Sequence, residues 1–70
     1  MKIRSAEDVV AEIKRSRKLY KVTQKELADL VEISQPYLSK IEKGRSKDVP
    51  MELVMRLLES LGIDVILARK

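Results

Sequence analysis

Polar side chains in one short segment, ISQPYLSKIEKG (residues 33–44), have the chemistry to bind the edges of nucleic-acid bases. The amide of Gln35 can form two hydrogen bonds with adenine, and the ammonium of Lys40 can donate to O6 and N7 of guanine. The hydroxyl of Ser39 can bond either a base or a phosphate. At helical spacing the outward residues are Gln35, Pro36, Ser39 and Lys40, with Tyr37 and Lys43 at the margins. The segment therefore predicts a base-contacting surface, and the alternative is an ordinary solvated helix face.

The charge of the chain points to the same kind of partner. The 70 residues include 15 Lys plus Arg against 11 Asp plus Glu, which gives a formal net charge of +4. The basic residues are clustered in two stretches, residues 14–25, which contain no acidic residue, and residues 40–47, where Glu42 is the only one. This distribution favours a polyanionic partner over an acidic small-molecule substrate.

Cysteine and histidine are both absent from the sequence. Their absence excludes disulfides, thiol chemistry, most zinc and haem sites, and acid–base catalysis by histidine. No Gly-rich loop and no paired carboxylates suggest an enzyme, so we predict no catalytic residue, no cofactor and no metal. The N-terminus lacks a signal-peptide pattern, and no segment approaches the roughly 20 apolar residues of a membrane span. We therefore expect a soluble, intracellular protein with no membrane partner.

Two helices are predicted in the first half of the chain. Apolar residues at helical spacing predict a first helix over about residues 6–19, with Ser5 as a candidate N-cap. Thr23 and Glu26 have the T-x-x-E spacing of a capping box, so a second helix should begin at Gln24.

Two further helices are predicted in the second half. Ser34 is a candidate N-cap for a third helix over about residues 35–43, and Gly44 is placed to end it in a left-handed conformation. Pro50 can begin a fourth helix, which Gly62 ends.

The period of the apolar residues changes after the fourth helix. Ile63, Val65 and Leu67 alternate with Asp64 and Ile66 in a pattern that suits a β-strand. Nothing else in the chain has a strand pattern, so we predict that this strand pairs with the same strand of a second copy in a two-fold dimer. The alternative is a tail that packs across the fourth helix or frays. The residues predicted to support the dimer are Leu58, Leu61, Ile63, Val65, Ile66 and Leu67.

The second and third helices are separated by about three residues, Glu32 to Ser34, and form a helix-turn-helix. Ala28 provides the small side chain that two steeply crossing helices need where they meet. The segment TQKELADLVEISQPYLSKIEKG (residues 23–44) resembles the Xre, or Cro/CI-type, helix-turn-helix family of bacterial and phage regulators, and the resemblance extends over about residues 8–62. It implies an all-α fold like that of lambda repressor, with four to five short helices, that binds operator DNA as a dimer in the cytoplasm.

The resemblance also implies roles for individual residues. It places DNA contacts at Thr23, Gln24, Ser34, Gln35, Pro36, Tyr37, Ser39, Lys40, Lys43 and Arg45. Gln24 matches a glutamine that holds a phosphate and braces the recognition helix, and Gln35 matches a base-reading glutamine. Pro36 offers no hydrogen bond to a base. Arg17 and Glu42 match a pair that forms a structural salt bridge between the first and third helices.

Two residues depart from the family pattern. Glu32 stands where the family usually has glycine, so we expect a left-handed conformation there at a cost of roughly 1 kcal/mol. Lys21 likewise replaces a small turn residue.

The C-terminal segment LLESLGIDVILARK (residues 57–70) resembles the ends of HipB-like antitoxins, in which a helix leads into a short dimerising strand. We therefore divide the chain into a DNA-binding domain, residues 1–62, and a dimerisation tail, residues 63–70. The leading function is a dimeric repressor of its own operon, which binds an inverted-repeat operator and which, as an antitoxin, would also bind a toxin. The alternative is an antitoxin or adaptor whose main task is to bind a protein, with DNA binding secondary.

Overall fold

The computed structural model describes residues 2–3, 6–46, 48–63 and 66–67. Along these residues the elements are β1 (Lys2–Ile3), α1 (Ala6–Leu19), α2 (Gln24–Leu30), α3 (Gln35–Glu42), α4 (Met51–Ser60) and β2 (Ile66–Leu67). The predicted all-α fold and all four predicted helices are confirmed. Pro50 is the N-cap of α4 rather than its first residue. Among the residues described, no helix is long and apolar enough to cross a membrane.

The starts of α2 and α3 are set by side-chain caps. The Thr23 hydroxyl accepts a hydrogen bond from the Glu26 backbone N–H at 3.1 Å, and the Thr23 N–H donates to the Glu26 carboxylate at 2.9 Å. This is the predicted capping box. The Ser34 hydroxyl accepts from the backbone N–H of Tyr37 at 3.2 Å, as expected for an N-cap. Ser5, the predicted cap of α1, lies outside the described residues.

All four described helices end in the same backbone turn. In each turn the residue two positions after the helix, called C′, has a left-handed conformation. Its backbone N–H donates to the carbonyl three residues earlier, and the N–H of the next residue donates to the carbonyl five residues earlier, as in a Schellman motif. The hydrogen bonds that span five residues are each 2.9 Å long and run from a backbone N–H to a carbonyl oxygen: Val22 to Arg17, Ile33 to Ala28, Arg45 to Lys40 and Ile63 to Leu58. The left-handed residues, with φ in parentheses, are Lys21 (57°), Glu32 (59°), Gly44 (70°) and Gly62 (68°). The left-handed conformation expected at Glu32 is confirmed, and Lys21 shares it.

Two apolar residues each end one helix and begin the next. Val22 closes the turn after α1 and directly precedes Thr23, the N-cap of α2. Ile33 closes the turn after α2 and directly precedes Ser34, the N-cap of α3. Both side chains pack against the core. No free linker therefore separates α1, α2 and α3, and their relative directions are set by hydrogen-bonded turns.

The core is formed by one apolar side of each helix. Its buried members are Val9, Ile13, Leu27, Ala28, Val31, Leu38, Ile41, Leu53, Leu57, Leu58 and Leu61. Ala28 is buried, as the predicted helix crossing requires. Leu58 and Leu61 were predicted to support a dimer, but they are buried in the core of one protomer, with 0% and 6% of their surface exposed. Their side chains therefore leave little surface for a second copy, because the apolar spacing that suggested an interface is satisfied inside the domain.

The C-terminal strand has a partner within the chain. β2 pairs in parallel with β1, so that Lys2 lies opposite Ile66 and Ile3 opposite Leu67. The premise that nothing else in the chain could pair with this strand was therefore wrong. A strand of two residues is too short to show alternation in a sequence, and its pairing depends on how the folded helices bring the two segments together. Val65 and Asp64 lie outside the described residues.

Candidate nucleic-acid interface

The packing of α3 leaves one face outside the core. Leu38 and Ile41 are buried beneath the helix, while Gln35, Pro36 and Lys40 are exposed. Ser39 is half-buried at the edge of the exposed face. The structure thus brings together on one surface the side chains whose chemistry suits base contacts.

The remaining predicted contact residues border this surface. Tyr37 is half-buried and packs against the core, so only part of its ring is available for contact. Lys43 and Arg45 are exposed in the turn that follows α3. The hydroxyls of Thr23 and Ser34 cap their helices as acceptors, which leaves each hydroxyl proton free to be donated.

A buried ion pair holds α3 against α1. The guanidinium of Arg17 donates from Nε to Oε2 of Glu42 at 2.7 Å and from Nη2 to Oε1 at 2.9 Å. The third nitrogen, Nη1, donates to the carbonyl oxygen of Val22 at 3.0 Å. Only 1% of the Glu42 side chain is exposed. Arg17 therefore joins α1, the turn before α2 and the last turn of α3.

Gln24 extends this network to α2. Its Nε2 atom donates to Oε1 of Glu42 at 3.1 Å, so Glu42 accepts hydrogen bonds from two other helices. The bracing role that the resemblance implies for Gln24 has a direct counterpart in this bond. Because an amide nitrogen carries two protons, the second N–H of Gln24 is left to donate elsewhere. In the part of the chain that the structure describes, no buried side-chain polar atom lacks a hydrogen-bond partner.

The network changes the acidity of Glu42. Burial alone would raise the pKa of this carboxyl, but hydrogen bonds from Arg17 and Gln24, and the positive charges of Arg17 and Lys14, outweigh burial. They hold the pKa of Glu42 below its usual value of 4.5. The carboxylate is therefore ionised at neutral pH and remains a hydrogen-bond acceptor for both helices.

The lowered pKa of Glu42 predicts a loss of stability in acid. A depressed folded-state pKa contributes stability that is fully present above the unfolded-state pKa and is lost as the pH falls through the folded-state pKa. We expect thermal unfolding to be insensitive to this group from about pH 7 to about pH 5, and to shift to lower temperature below about pH 4.5. The double variant Arg17→Met/Glu42→Leu should lose less stability in the same acid range. Equal acid sensitivity of the two proteins would contradict the prediction.

Some acid sensitivity should remain in that double variant. The pKa of Glu12 is lowered by hydrogen bonds from Arg15 and Ser16, and the pKa of Glu26 is lowered by its capping bonds with Thr23. Both groups are present in the parent protein and in the variant, so the difference between the two proteins isolates the buried pair.

The basic residues of α3 and of the turn that follows it belong to none of the described ion pairs. The described ion pairs join Arg15 to Glu12, Lys25 to Asp29 and Arg17 to Glu42. Lys40, Lys43 and Arg45 take part in none of them, so their charges face solvent. Within the described ranges, no group of His, Cys, Asp or Glu side chains could hold a metal ion.

The hydrogen bond between Gln24 and Glu42 was not predicted from the sequence. The two residues are 18 positions apart, and neither has a spacing that identifies the other. The contribution of the Lys14 charge to the lowered pKa of Glu42 was also not predicted, although the basic stretch that contains Lys14 was noted.

The family model that describes a helix-turn-helix matches residues 13–66 of the chain. The chain belongs to the Xre-type helix-turn-helix family. In helix-turn-helix proteins the second helix of the motif lies in the DNA major groove, and here that helix is α3. The family assignment confirms the resemblance on which the site residues were placed.

The fold of this helix-turn-helix domain is also similar to that of a solved regulator. The crystal structure of ClgR, the clp gene regulator of Corynebacterium glutamicum, matches with a TM-score of 0.75 and 36% sequence identity. The match covers 83% of this chain and 61% of the ClgR chain, so the chain spans about three-fifths of that protein. No curated protein matches the chain. Neither match identifies a HipB-like antitoxin, so that resemblance stays a prediction.

Proposed function

We propose that this helix-turn-helix protein is a sequence-specific, DNA-binding transcriptional regulator that acts as a dimeric repressor of its own operon. The observation that carries the proposal is the exposed polar face of α3, held in place by the buried pair of Arg17 and Glu42. A helix that reads bases must present its side chains in one orientation, because a bidentate hydrogen bond tolerates little rotation.

In this proposal α3 enters the major groove with its first turn nearest the bases. Gln35 reads one base, and Lys40 and Ser39 contact a second base or the adjacent phosphates. Pro36 contributes only an apolar contact. The residues assigned to the sugar–phosphate backbone are Thr23, Gln24, Ser34, Tyr37, Lys43 and Arg45. Gln24 would donate its free N–H to a phosphate while its other N–H holds Glu42.

The repressor is proposed to be a two-fold dimer on an inverted-repeat operator. Two copies of α3 would then enter successive major grooves about 34 Å apart. Since Leu58 and Leu61 are used by the core, the dimer contact is assigned to Ile63 and to the segment Val65–Leu67. Because β1 occupies one edge of β2, this contact would use the other edge of that strand. Ile63 is half-buried against the core, so part of its side chain remains available.

The resemblance of residues 57–70 to the ends of HipB-like antitoxins supports a second role. We propose that the dimer also binds a toxin through surfaces away from α3. Co-purification of a second protein with the full chain, followed by its inhibition, tests this role. Purification of the regulator alone from cells that express its neighbouring genes would contradict it.

Selection of duplexes from a random-sequence DNA pool, at near-physiological salt, tests the main proposal. The expected result is an enriched palindrome whose half-sites are about 10 base pairs apart, because a two-fold dimer presents two identical helices. An enriched single half-site would support sequence reading and overturn the dimer. Binding without enrichment, and lost as salt rises, would mean that charge alone holds the DNA and would overturn sequence reading.

Two substitutions on α3 and its turn should have different effects on binding. Gln35→Ala should weaken binding to the selected duplex by roughly 1–3 kcal/mol and relax the preference at one base position. Lys43→Ala should weaken binding to all duplexes alike and reduce the slope of log affinity against log salt by about one. Repeating the selection and a salt titration on each variant measures both. An unchanged sequence preference in Gln35→Ala would show that another residue reads the base.

A further inference from the structure

Three exposed lysines lie on α1 and in the turn that follows it. Lys14 and Lys18 are four residues apart within α1, so they lie on one side of that helix, and Lys21 is the left-handed residue of the turn that ends it. We name these three residues the lysine edge. All three side chains are exposed, and none belongs to an ion pair with a described residue. Their charge is therefore available to a partner outside the domain.

The residues next to the lysine edge in the sequence contact Glu42 at the end of α3. Arg17 lies one position before Lys18 and points toward Glu42 at the end of α3. Lys14 lies about one helical turn before Arg17, and its positive charge helps to lower the pKa of Glu42. At the other end of the edge, Lys21 precedes Gln24 by three residues, and Gln24 also contacts Glu42. Lys14 and Lys18 thus lie next to Arg17, the α1 residue that contacts the last turn of α3, and Lys21 lies in the turn between α1 and α2.

The backbone conformation of Lys21 is a second reason to expect a role for its side chain outside folding. Its φ of 57° is the left-handed conformation that glycine adopts at the equivalent turns after α3 and α4. A residue with a side chain costs roughly 1–2 kcal/mol there. The exposed Lys21 side chain makes no described hydrogen bond or ion pair that would compensate for this cost. Strain of this kind tends to be retained where the side chain has a use beyond folding.

We propose that Lys14, Lys18 and Lys21 bind DNA phosphates beside the groove that α3 enters, as a second contact that adds affinity without reading sequence. This inference rests on the proposed function, since it assumes that α3 docks on a duplex. A lysine suits the task because its ammonium is a compact charge on a flexible stem, and phosphate contacts position a protein without distinguishing bases.

A structural role for these lysines would look different. Lys18 lies in the last turn of α1, where a positive charge also stabilises the helix dipole. Such a role would be detected as a change in unfolding temperature, whereas phosphate binding would be detected as a change in the salt dependence of DNA affinity. Lys21→Gly separates DNA affinity from stability, because the substitution removes a positive charge and also relieves the strain of the left-handed backbone.

The experiment measures the affinity of the full chain for the selected duplex, with a mixed-sequence duplex of about 20 base pairs for comparison, over a range of salt concentrations. The test variants are Lys14→Gln, Lys18→Gln and Lys21→Gly. Each should lower the salt slope by about 0.9, which is roughly a fivefold loss of affinity at about 0.15 M salt. Lys21→Gly should also unfold at a higher temperature than the parent protein, so that affinity falls while stability rises.

Two control variants separate this effect from net charge and from strain. Arg56→Gln removes the same charge from an exposed position on a different helix, α4, and should change the slope by much less. Glu32→Gly relieves the same left-handed strain as Lys21→Gly without removing a positive charge, so it should raise the unfolding temperature and leave binding no weaker.

Each outcome bears on the proposal. Slopes that fall in the three lysine variants but not in Arg56→Gln support it. If the parent protein binds the selected duplex and the lysine variants match Arg56→Gln, the lysine edge is not a phosphate site, while the proposed function stands. If the parent protein binds no duplex, both the lysine edge and the proposed function are overturned.

Discussion

Arg17→Met should destabilise the protein by about 3–5 kcal/mol, because it leaves the carboxylate of Glu42 buried without its charged partner. The parent pair is nearly inaccessible to water, with 10% of the Arg17 side chain and 1% of the Glu42 side chain exposed. The variant also leaves the carbonyl of Val22 without the hydrogen bond from Nη1. A 70-residue domain has a total stability of roughly 4–10 kcal/mol. The substitution should therefore leave a large fraction of the chains unfolded at physiological temperature.

Denaturant unfolding followed by far-UV circular dichroism measures this loss, and Arg15→Met is the matched control. Arg15 lies on the same helix and also pairs with a glutamate, Glu12, but 66% of its side chain is exposed. Exposed pairs contribute about 0–1 kcal/mol, so Arg15→Met should change stability little. The double variant Arg17→Met/Glu42→Leu should recover much of the loss, because it removes both charges from the interior. If Arg17→Met is no less stable than Arg15→Met, the buried pair does not hold the helices together.

Leu38→Ala should lower the free energy of unfolding by about 2–5 kcal/mol, because it truncates a fully buried side chain beneath the exposed face of α3. Leu38 has 0% of its surface exposed and is the core residue that follows Tyr37 on α3. Removing its outer carbons loses their transfer free energy and leaves a cavity under the helix. The same denaturant titration measures the effect.

Leu30→Ala is the matched control for Leu38→Ala. It is the same chemical change at the end of α2, where 64% of the leucine is exposed, so its effect should be within about 0.5 kcal/mol. At a temperature where Leu38→Ala is still folded, its DNA affinity should fall only if α3 moves into the cavity and displaces the exposed side chains of that helix. A Leu38→Ala variant as stable as Leu30→Ala would show that α3 is not anchored through Leu38.

Local signals in the sequence predicted most of the helical framework. The capping box of Thr23 and Glu26 and the N-cap of Ser34 depend on residues three positions apart, so their geometry follows from the helix itself. Gly44 and Gly62 likewise mark turns that need a left-handed residue. These features are decided within a few residues and do not depend on the rest of the fold.

Other features depend on contacts between distant segments, and the sequence patterns did not predict them. The pairing of β1 with β2 joins the two ends of the described chain, and two-residue strands have no period to detect. The apolar spacing of Leu58 and Leu61 predicted that both side chains would be buried, but it did not show against which surface. The core of one protomer and a dimer interface require the same residue types. The contact residues on α3 and the salt bridge of Arg17 with Glu42 could be named from the family resemblance, but the hydrogen bond from Gln24 to Glu42 could not.

The shared turns at Val22 and Ile33 leave α1, α2 and α3 without a hinge between them. A domain built this way cannot accommodate an imperfect binding site by rotating α3, because rotation would break a hydrogen-bonded turn and the bonds to Glu42. We therefore expect the duplex to supply the adjustment, by bending or by changing its groove width between the two half-sites. Base pairs that the protein never touches would then influence affinity through their deformability, with flexible pyrimidine–purine steps and stiff A-tracts having opposite effects on the same half-sites.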